Sequence, residues 1–390
     1  MSALTTHVVI VGAGPTGLML AHCCARQQID FVLLETRTAP SAHTRAIGIH
    51  SPSLLLFERL GLLPDLLKAG NRIDQGAAHL EHDRIGVIDF SSQPVPHPFI
   101  VTLAQPVTES LLRKPLETTS PDRLLFGQTV EALASLSHCL QVHTAEGHTI
   151  TARYVIACDG ADSVVRRQAG VPVQARPYDD SYVMADFADT IGDRHQAHVH
   201  LCRQGLVESF PHGTSQRRWV VRTETLREAD NVGFIVDALA RRTGHRPLAE
   251  TVTMTSAFQP RRMLARTFKQ GRVLLAGDAA HVISPIGGQG MNLGWLDAAD
   301  WAAALATKGD AALTRCAHAC RARARRAARQ AEFNMALGRP FHSLPARRML
   351  LKTLLWPPVQ RHFVRRFSMH YLGEPQNAHS EKAVKISCIT

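Results

Sequence analysis

Three glycines in the order Gly12-x-Gly14-x-x-Gly17 stand between a short β-branched apolar run, His7 to Val11, and a stretch that reads as a helix, Leu18 to Arg26. In binding a pyrophosphate each glycine has its own task. Gly12 permits a tight turn, Gly14 lets the backbone approach the phosphates, and Gly17 lets helix and strand pack closely. The helix start adds free N–H donors and a partial positive charge. Glu35 ends the next apolar run, Phe31 to Leu34, 23 residues beyond Gly12, the spacing of an acid that accepts hydrogen bonds from ribose hydroxyls. A second group lies late in the chain, Gly277-Asp278-Ala279-Ala280-His281 continuing to Pro285-Ile286-Gly287-Gly288-Gln289-Gly290-Met291. An aspartate leaving a buried strand suits a polyol, and glycines opening a helix place backbone N–H groups beside something partly negative. A second phosphate-type turn is the other reading of this stretch.

The elements that must carry these residues are short buried strands. His7 to Val11, Phe31 to Leu34, Arg153 to Cys158 and Arg272 to Ala276 are far apart in sequence, and most run straight into a glycine turn, including Asp159-Gly160 and Gly277-Asp278. One parallel sheet assembled from separated segments is expected, which makes the fold α/β and Rossmann-like. Residues 179–262 differ. Stretches such as His198-Val199-His200-Leu201 and Trp219-Val220-Val221-Arg222 alternate with period two, predicting an inserted, mostly antiparallel, half-exposed sheet. The expected domains are 1–75, 100–178 and 271–310 for the dinucleotide, 76–99 and 179–270 for a substrate, a basic helical segment over 311–374 and a loose tail over 375–390. Pro357-Pro358 must break any helix in the basic segment.

Composition bounds the class. With 390 residues, 45% hydrophobic and 20% charged, the chain is a folded globular protein, not a disordered one. The net charge of +11 is local: residues 313–370 hold 13 basic residues and a single acid, Glu332, whereas residues 1–312 balance almost evenly. Eight scattered cysteines, without CxxC pairs, read as reduced thiols in a cytoplasmic protein and give no metal site or disulfide framework. No apolar run reaches 18 residues, and no secretory leader is read. Nucleic-acid binding has no aromatic platform behind it.

With Asp159-Gly160-Ala161-Asp162-Ser163 and Arg166 between them, the two glycine motifs resemble the para-hydroxybenzoate hydroxylase family of single-component FAD-dependent aromatic monooxygenases. The motifs come in the family's order and span residues 8–300. The resemblance implies that Gly12, Gly14 and Gly17 contact the FAD pyrophosphate and Glu35 the adenosine ribose. Arg45 and Gln105 fall near the phosphate and ribityl region, with Arg113 as a neighbour; Asp278 binds ribityl hydroxyls, and Gly290 and Met291 meet the pyrimidine edge of the flavin. Asp159 belongs to a segment tied to both FAD and NAD(P)H, with Arg166 as its charged partner. The implied reaction spends NADH or NADPH and O2 to hydroxylate a phenolic, aromatic or quinone-precursor molecule through a flavin C4a-hydroperoxide, with Pro285 and Gly288 lining the flavin face.

A phenol reacts better once deprotonated, so a base or proton relay is expected. His198, His200, Tyr182 and His212 fall in the substrate sheet, although a satisfied structural role competes for each of them and none is assigned. His281 sits within the late motif and reads as structural. Two other functions share these motifs: an FAD-dependent reductase or dehydrogenase on the same fold, and a non-catalytic FAD-binding protein that meets membranes. The basic segment reads first as a solvated, arginine-rich cover over the FAD domain and second as a peripheral contact with anionic lipid.

Overall fold

Val8 to Val11 have no polar side chain to offer water on either face, so the run is stable only between two neighbours inside a covered sheet. In the computed structural model, which describes residues 4–39, 46–228, 230–307 and 309–373, that is where it lies. Strand Leu4–Val11 pairs in parallel with Phe31–Glu35 on one side and Thr149–Ala157 on the other. Leu124–Phe126 extends the parallel sheet beyond Phe31–Glu35, and Val273–Leu275 extends it beyond Thr149–Ala157. Eight strands take part in all, with an antiparallel hairpin, Val130–Ser135 and Leu140–Thr144, on the rim. The strands anticipated from the four apolar runs are therefore neighbours in one sheet. Helix Pro15–Arg26 packs against helix Gln289–Ala306, and the Trp295 indole N–H donates to the Pro15 carbonyl at 2.9 Å, so the early and late glycine motifs meet directly.

A second sheet of seven strands runs in the order Met254–Phe258, Ser181–Ala188, Gln216–Thr223, Gly205–His212, Gln196–Cys202, Gln75–Leu80, Asp83–Asp89. Every pairing is antiparallel except Gln196–Cys202 with Gln75–Leu80. The expectation of a half-exposed sheet needs correction, because its central strands are buried on both faces. Val183, Ala185, Phe187, Val207 and Val221 pack on one side against Ile235 and Leu239 of helix Val232–Thr243. On the other side Met184, Leu206 and Val220 pack with Met335 and Leu351 from the C-terminal helices. Polar residues of these strands are held in buried pairs instead of meeting water: Arg218 donates two bonds of 2.7 Å to Asp186, and Arg217 donates at 2.9 and 3.2 Å to Asp189.

The basic segment forms helices Asp310–Leu337, Leu344–Leu355, Pro357–Phe367 and His370–Gly373, with the break at the proline pair where it was expected. A solvated cover describes only part of it. Arg325 and Arg329 are exposed, but Arg323 is buried and donates to Asp297 at 3.1 Å, with Asp300 at 2.6 Å. Glu332 accepts from Arg176, Tyr178 and Arg262 at 2.6, 3.0 and 3.2 Å, fastening the long helix to the strands before and after the substrate sheet. The tail over 375–390 lies outside the described residues.

Gly17 and Gly14 separate two kinds of glycine requirement. A Cβ on Gly17 would stand 1.8 Å from the Gly12 carbonyl oxygen, whereas one on Gly14 would meet nothing within 4 Å. Gly14 has a φ of −73°, open to any residue. Gly17→Ala is expected to cost about 3 kcal/mol or more of stability and Gly14→Ala about 0.5 kcal/mol or less, measured by denaturant unfolding. Equal losses would contradict the close helix–strand contact.

Candidate functional site

The two sheets and the C-terminal helices enclose one cavity of about 720 Å³, within the range of small-molecule sites. One end is built from the glycine motifs. Gly14, Gly160, Asp278, Gly290 and Met291 line it, with Gln105 from the start of helix Gln105–Thr119. The other end is apolar and built on the second sheet, from residues such as Met184, Val199, Leu206, Phe210 and Val220, and is closed by Leu351, Leu355 and Phe367 of the C-terminal helices.

At the first end the backbone is shaped for close approach. Gly12 has φ +103° and Gly160 φ +81°, and a Cβ on Gly160 would point into open space. Gly287 and Gly288, at φ +91° and +65°, turn the chain into the 18-residue helix Gln289–Ala306, whose start lines the cavity through Gly288, Gly290 and Met291. Gln289 is fully buried with neither amide atom hydrogen-bonded, and Asp159 Oδ1 is likewise buried without a partner. Asp159 does accept from the Val165 N–H at 3.2 Å, and burial raises its carboxyl above the usual range. Arg166 does not pair with Asp159 at hydrogen-bond distance. Its guanidinium donates to the carbonyls of Ala279 and Ala161 at 2.9 Å each, tying the Asp159 turn to the Asp278 turn.

Glu35 is brought to the glycine turn but away from the main cavity. Its carboxylate accepts from the Ala13 N–H at 2.6 Å and from Arg37 at 2.9 Å. Burial opposes its charge, but those bonds more than offset it and hold the carboxyl below its ordinary pKa. Arg113 shares a small cleft with Glu35, its guanidinium 3.9 Å over the Phe126 ring and bonded to Glu117 at 2.5 Å. Gln105 accepts weakly from the Ala46 N–H at 3.5 Å and donates to Glu109 at 2.9 Å. Arg45 lies outside the described residues. Pro285 and Gly288 line the cavity between its two ends.

The four residues weighed as a base are not brought together in the cavity. His198 and His200 alternate with the lining residues Ala197, Val199 and Leu201, so they point to the opposite face, toward His245 and helix Val232–Thr243. There they form a stack with His79, whose ring lies 4.2 Å from that of His200 at 15°. Ring nitrogens of the three approach within 4.8 Å of one another. His79 Nε2 and His198 Nδ1 stand 3.2 Å apart, within hydrogen-bond reach of each other, so these two nitrogens are engaged with one another. Tyr182 is on the cavity face but buried behind the wall, stacked on Phe258 with its hydroxyl unpaired, and burial raises its pKa. His212 is buried 3.2 Å from Asp186, where it backs the Arg218 pair. Sequence reasoning missed Glu208 and His50. Both line the cavity, and only the strand register and a long-range turn contact place them there. His50 bonds the Gly287 carbonyl at 3.2 Å, and burial lowers its pKa to about 4, so it is neutral.

The family described as FAD binding domain matches residues 5–334. An uncharacterized aromatic compound monooxygenase, YhjG of Bacillus subtilis, is 31% identical over 321 residues, covering 78% of this chain and 62% of that protein. A 3-(3-hydroxy-phenyl)propionate/3-hydroxycinnamic acid hydroxylase of Burkholderia vietnamiensis is 29% identical over 317 residues, covering 79% of this chain and 52% of the relative. The chain thus spans half to under two thirds of these relatives. The crystal structure of p-nitrophenol 4-monooxygenase PnpA from Pseudomonas putida shares the fold, with a TM-score of 0.86 and 22% identity over 96% of this chain and all of that one.

The histidine stack has a measurable consequence. Burial first, then the Arg217 charge and the neighbouring imidazole of His79, lowers the His198 pKa to about 4, and burial with repulsion from the other imidazoles lowers that of His200 to about 2. A folded-state pKa below the unfolded value near 6.5 means that stability is full above pH 6.5 and is lost as pH falls through the window below it. Between pH 6.5 and 5, His200 alone should cost about 2 kcal/mol. His200→Phe should flatten the fall in melting temperature over that range, and an unchanged slope would show that the stack does not resist protonation.

Proposed function

Because the chain belongs to the FAD binding domain family, we propose that it is an FAD-dependent monooxygenase that uses NADH or NADPH and O2 to hydroxylate a small phenolic or other aromatic molecule. The observation that carries this reading is a continuous cavity whose one end is made by dinucleotide-binding motifs and whose other end is an apolar chamber. Bound FAD supplies electron transfer from the nicotinamide and activation of O2. The open space over Gly14 and Gly160 and the orphaned polar atoms of Asp159 and Gln289 fit such a group. Gly12, Gly14 and Gly17 would hold its pyrophosphate at the start of helix Pro15–Arg26, Glu35 its ribose and Asp278 its ribityl chain. Gly290 and Met291 would meet the flavin edge, Gln105 and Arg45 the middle of the molecule, and Arg113 would shape the Glu35 cleft.

The chain's own residues then provide position and dryness. The start of helix Gln289–Ala306 lines the flavin end with a fixed dipole that needs no rearrangement during reaction. Val199, Val220, Leu351 and Phe367 keep water from the reacting ring. Segments 1–75, 100–178 and 271–310 would serve the cofactor and segments 76–99 and 179–270 the substrate. Relatives named for hydroxylating a hydroxyphenyl or aromatic compound support an aromatic substrate. Purified protein should carry one FAD and oxidise NAD(P)H faster when a phenol is added, with one atom of 18O2 in the product. Turnover that persists without oxygen would favour a reductase instead. Gly14→Ala should remain folded and lose flavin.

A cytoplasmic setting, with a peripheral membrane contact, is a second element of this reading. The seven described cysteines are free, and no helix among the described residues is long and apolar enough to cross a membrane. Met349 is 71% exposed on helix Leu344–Leu355 and Trp356 is 59% exposed at its junction with Pro357–Phe367, and the two helices also carry the exposed Lys352 and Arg361. Apolar and cationic side chains together suit an anionic lipid surface. The protein should co-sediment with phosphatidylserine vesicles at low salt, less so at high salt, and lose the association in Met349→Ser/Trp356→Ser. Absence of sedimentation at low salt would remove the membrane contact.

A further inference from the structure

The apolar chamber holds one carboxyl group that the dinucleotide motifs do not use. Glu208 is the middle residue of the cavity-facing set on strand Gly205–His212, between Leu206 and Phe210, and its cross-strand neighbours are Val199 and Val220. It is 5% exposed and has no hydrogen bond or ion pair among the described residues. A carboxyl buried among valines, leucine and phenylalanine without a partner is unfavourable in the empty protein, and such groups concentrate where a ligand completes them.

The charges around it do not neutralise it. On the same sheet face, Arg218 is bound at two points by Asp186, which His212 also backs, and Arg222 is bound by Asp180 at 2.9 Å together with Arg339. Tyr182 is the nearest phenol, and it stands behind the wall. Arg218 itself lines the chamber, held there by Asp186, and the other titratable groups lining the cavity are His50, Cys158, Arg261 and Asp278. From the helices that roof the chamber, only Asn334 and apolar side chains face it.

We propose that Glu208 recognises the substrate through a hydrogen-bond donor on its ring and accepts a proton from it, so that the chamber takes neutral hydroxylated aromatics and rejects aromatic carboxylates. This inference rests on the monooxygenase reading above. In the step, the phenolic O–H bond breaks and its electron pair stays on the phenol oxygen. The proton forms a new O–H bond on the Glu208 carboxylate, and the pair carries one negative charge before and after. The ring gains electron density, which favours attack by an electrophilic oxygen. A carboxylate-bearing ring would instead set a second negative charge beside Glu208 in a low-dielectric chamber whose nearest cation is already committed to Asp186.

Burial holds the Glu208 carboxyl up at about 7, so the group changes its protonation near neutral pH. It accepts a proton only when ionised, and kcat/KM for a phenol should therefore rise as pH passes upward through about 7. Stability follows the opposite sign. An acid with a folded-state pKa above its unfolded value is most favourable below the unfolded pKa, and that stability is lost as pH rises through the folded one. A residue with a merely structural salt-bridging role would lose stability when neutralised at pH 8, whereas neutralising Glu208 should add to it.

The test uses the flavin-loaded full chain, with p-cresol and 4-methylbenzoate as probes that share a methyl-substituted ring and carry a neutral hydroxyl or a carboxylate opposite the methyl. Binding is read from the flavin absorption spectrum, turnover from NAD(P)H oxidation across pH 6–9, and stability from melting temperature at pH 5 and pH 8. The wild type should bind p-cresol at least tenfold more tightly than 4-methylbenzoate. Glu208→Gln should keep its flavin, lose the rise near pH 7, turn over p-cresol about a hundredfold more slowly at pH 8, and melt higher at pH 8 but not at pH 5. Glu208→Asp should restore the rise. Equal binding of the two probes by the wild type, an unchanged pH profile in Glu208→Gln, or a lower melting temperature of that variant at pH 8 would each overturn the proposal. If no aromatic supports turnover, the monooxygenase reading fails, and the binding and stability measurements still decide the role of Glu208.

Discussion

The buried carboxylate of Asp297 is the contact on which the rest of the architecture depends. It stands in the middle of helix Gln289–Ala306 and is fully enclosed. It accepts from His281 Nε2 at 2.5 Å, from Arg323 Nη2 at 3.1 Å and from the Gly277 N–H at 3.4 Å. Burial alone would raise its pKa, but the opposing charges and bonds of His281 and Arg323 hold it below the ordinary range. Three pieces of chain are fixed by this one group: the turn that presents Asp278, the helix whose start faces the cavity, and the long helix Asp310–Leu337. Removing one partner from a buried ionic group costs about 3–5 kcal/mol, because the other is left uncompensated. His281 is thus structural, as its place inside the motif implied.

The long helix transmits that fixed position to the chamber. Arg323 sets its rotation, Glu332 binds it to Arg176, Tyr178 and Arg262, and Asn334 and Leu337 then reach the cavity wall. Beyond it, Arg339 bonds Asp180 at 2.9 Å, and the next helix lays Leu351, Leu354 and Leu355 across the second sheet. Gly86 allows this last approach. A Cβ there would come within 2.7 Å of Leu355 Cδ1.

The parallel sheet and its dinucleotide end were legible in the sequence because each strand is an apolar run stopped by glycine, and the spacing of Gly12, Gly14, Gly17 and Glu35 encodes local geometry. The chamber was less legible. Period two shows that a strand has two faces but not which one meets the ligand, so His198 and His200 drew attention while Glu208, between Val207 and Ser209, did not. The deciding fact is the register that sets Glu208 opposite Val199 and Val220, a contact between separate strands. Charge was misleading for a related reason. In a run of arginines, successive residues turn by about 100° around a helix, so Arg325 and Arg329 reach solvent while Arg323 points inward. The count of positive charges carries no such angular information.

The wall of the chamber is gathered from Gly14 at one extreme to Phe367 at the other. During synthesis the chain emerges from its amino end, and the last piece of wall is made long after the glycine turn has left the ribosome. A nascent or prematurely terminated polypeptide can therefore form the parallel sheet and yet have no sealed compartment. Its greasy strand faces would stay bare until the helices that carry Leu351, Leu355 and Phe367 arrive, which makes half-finished copies a burden for chaperones.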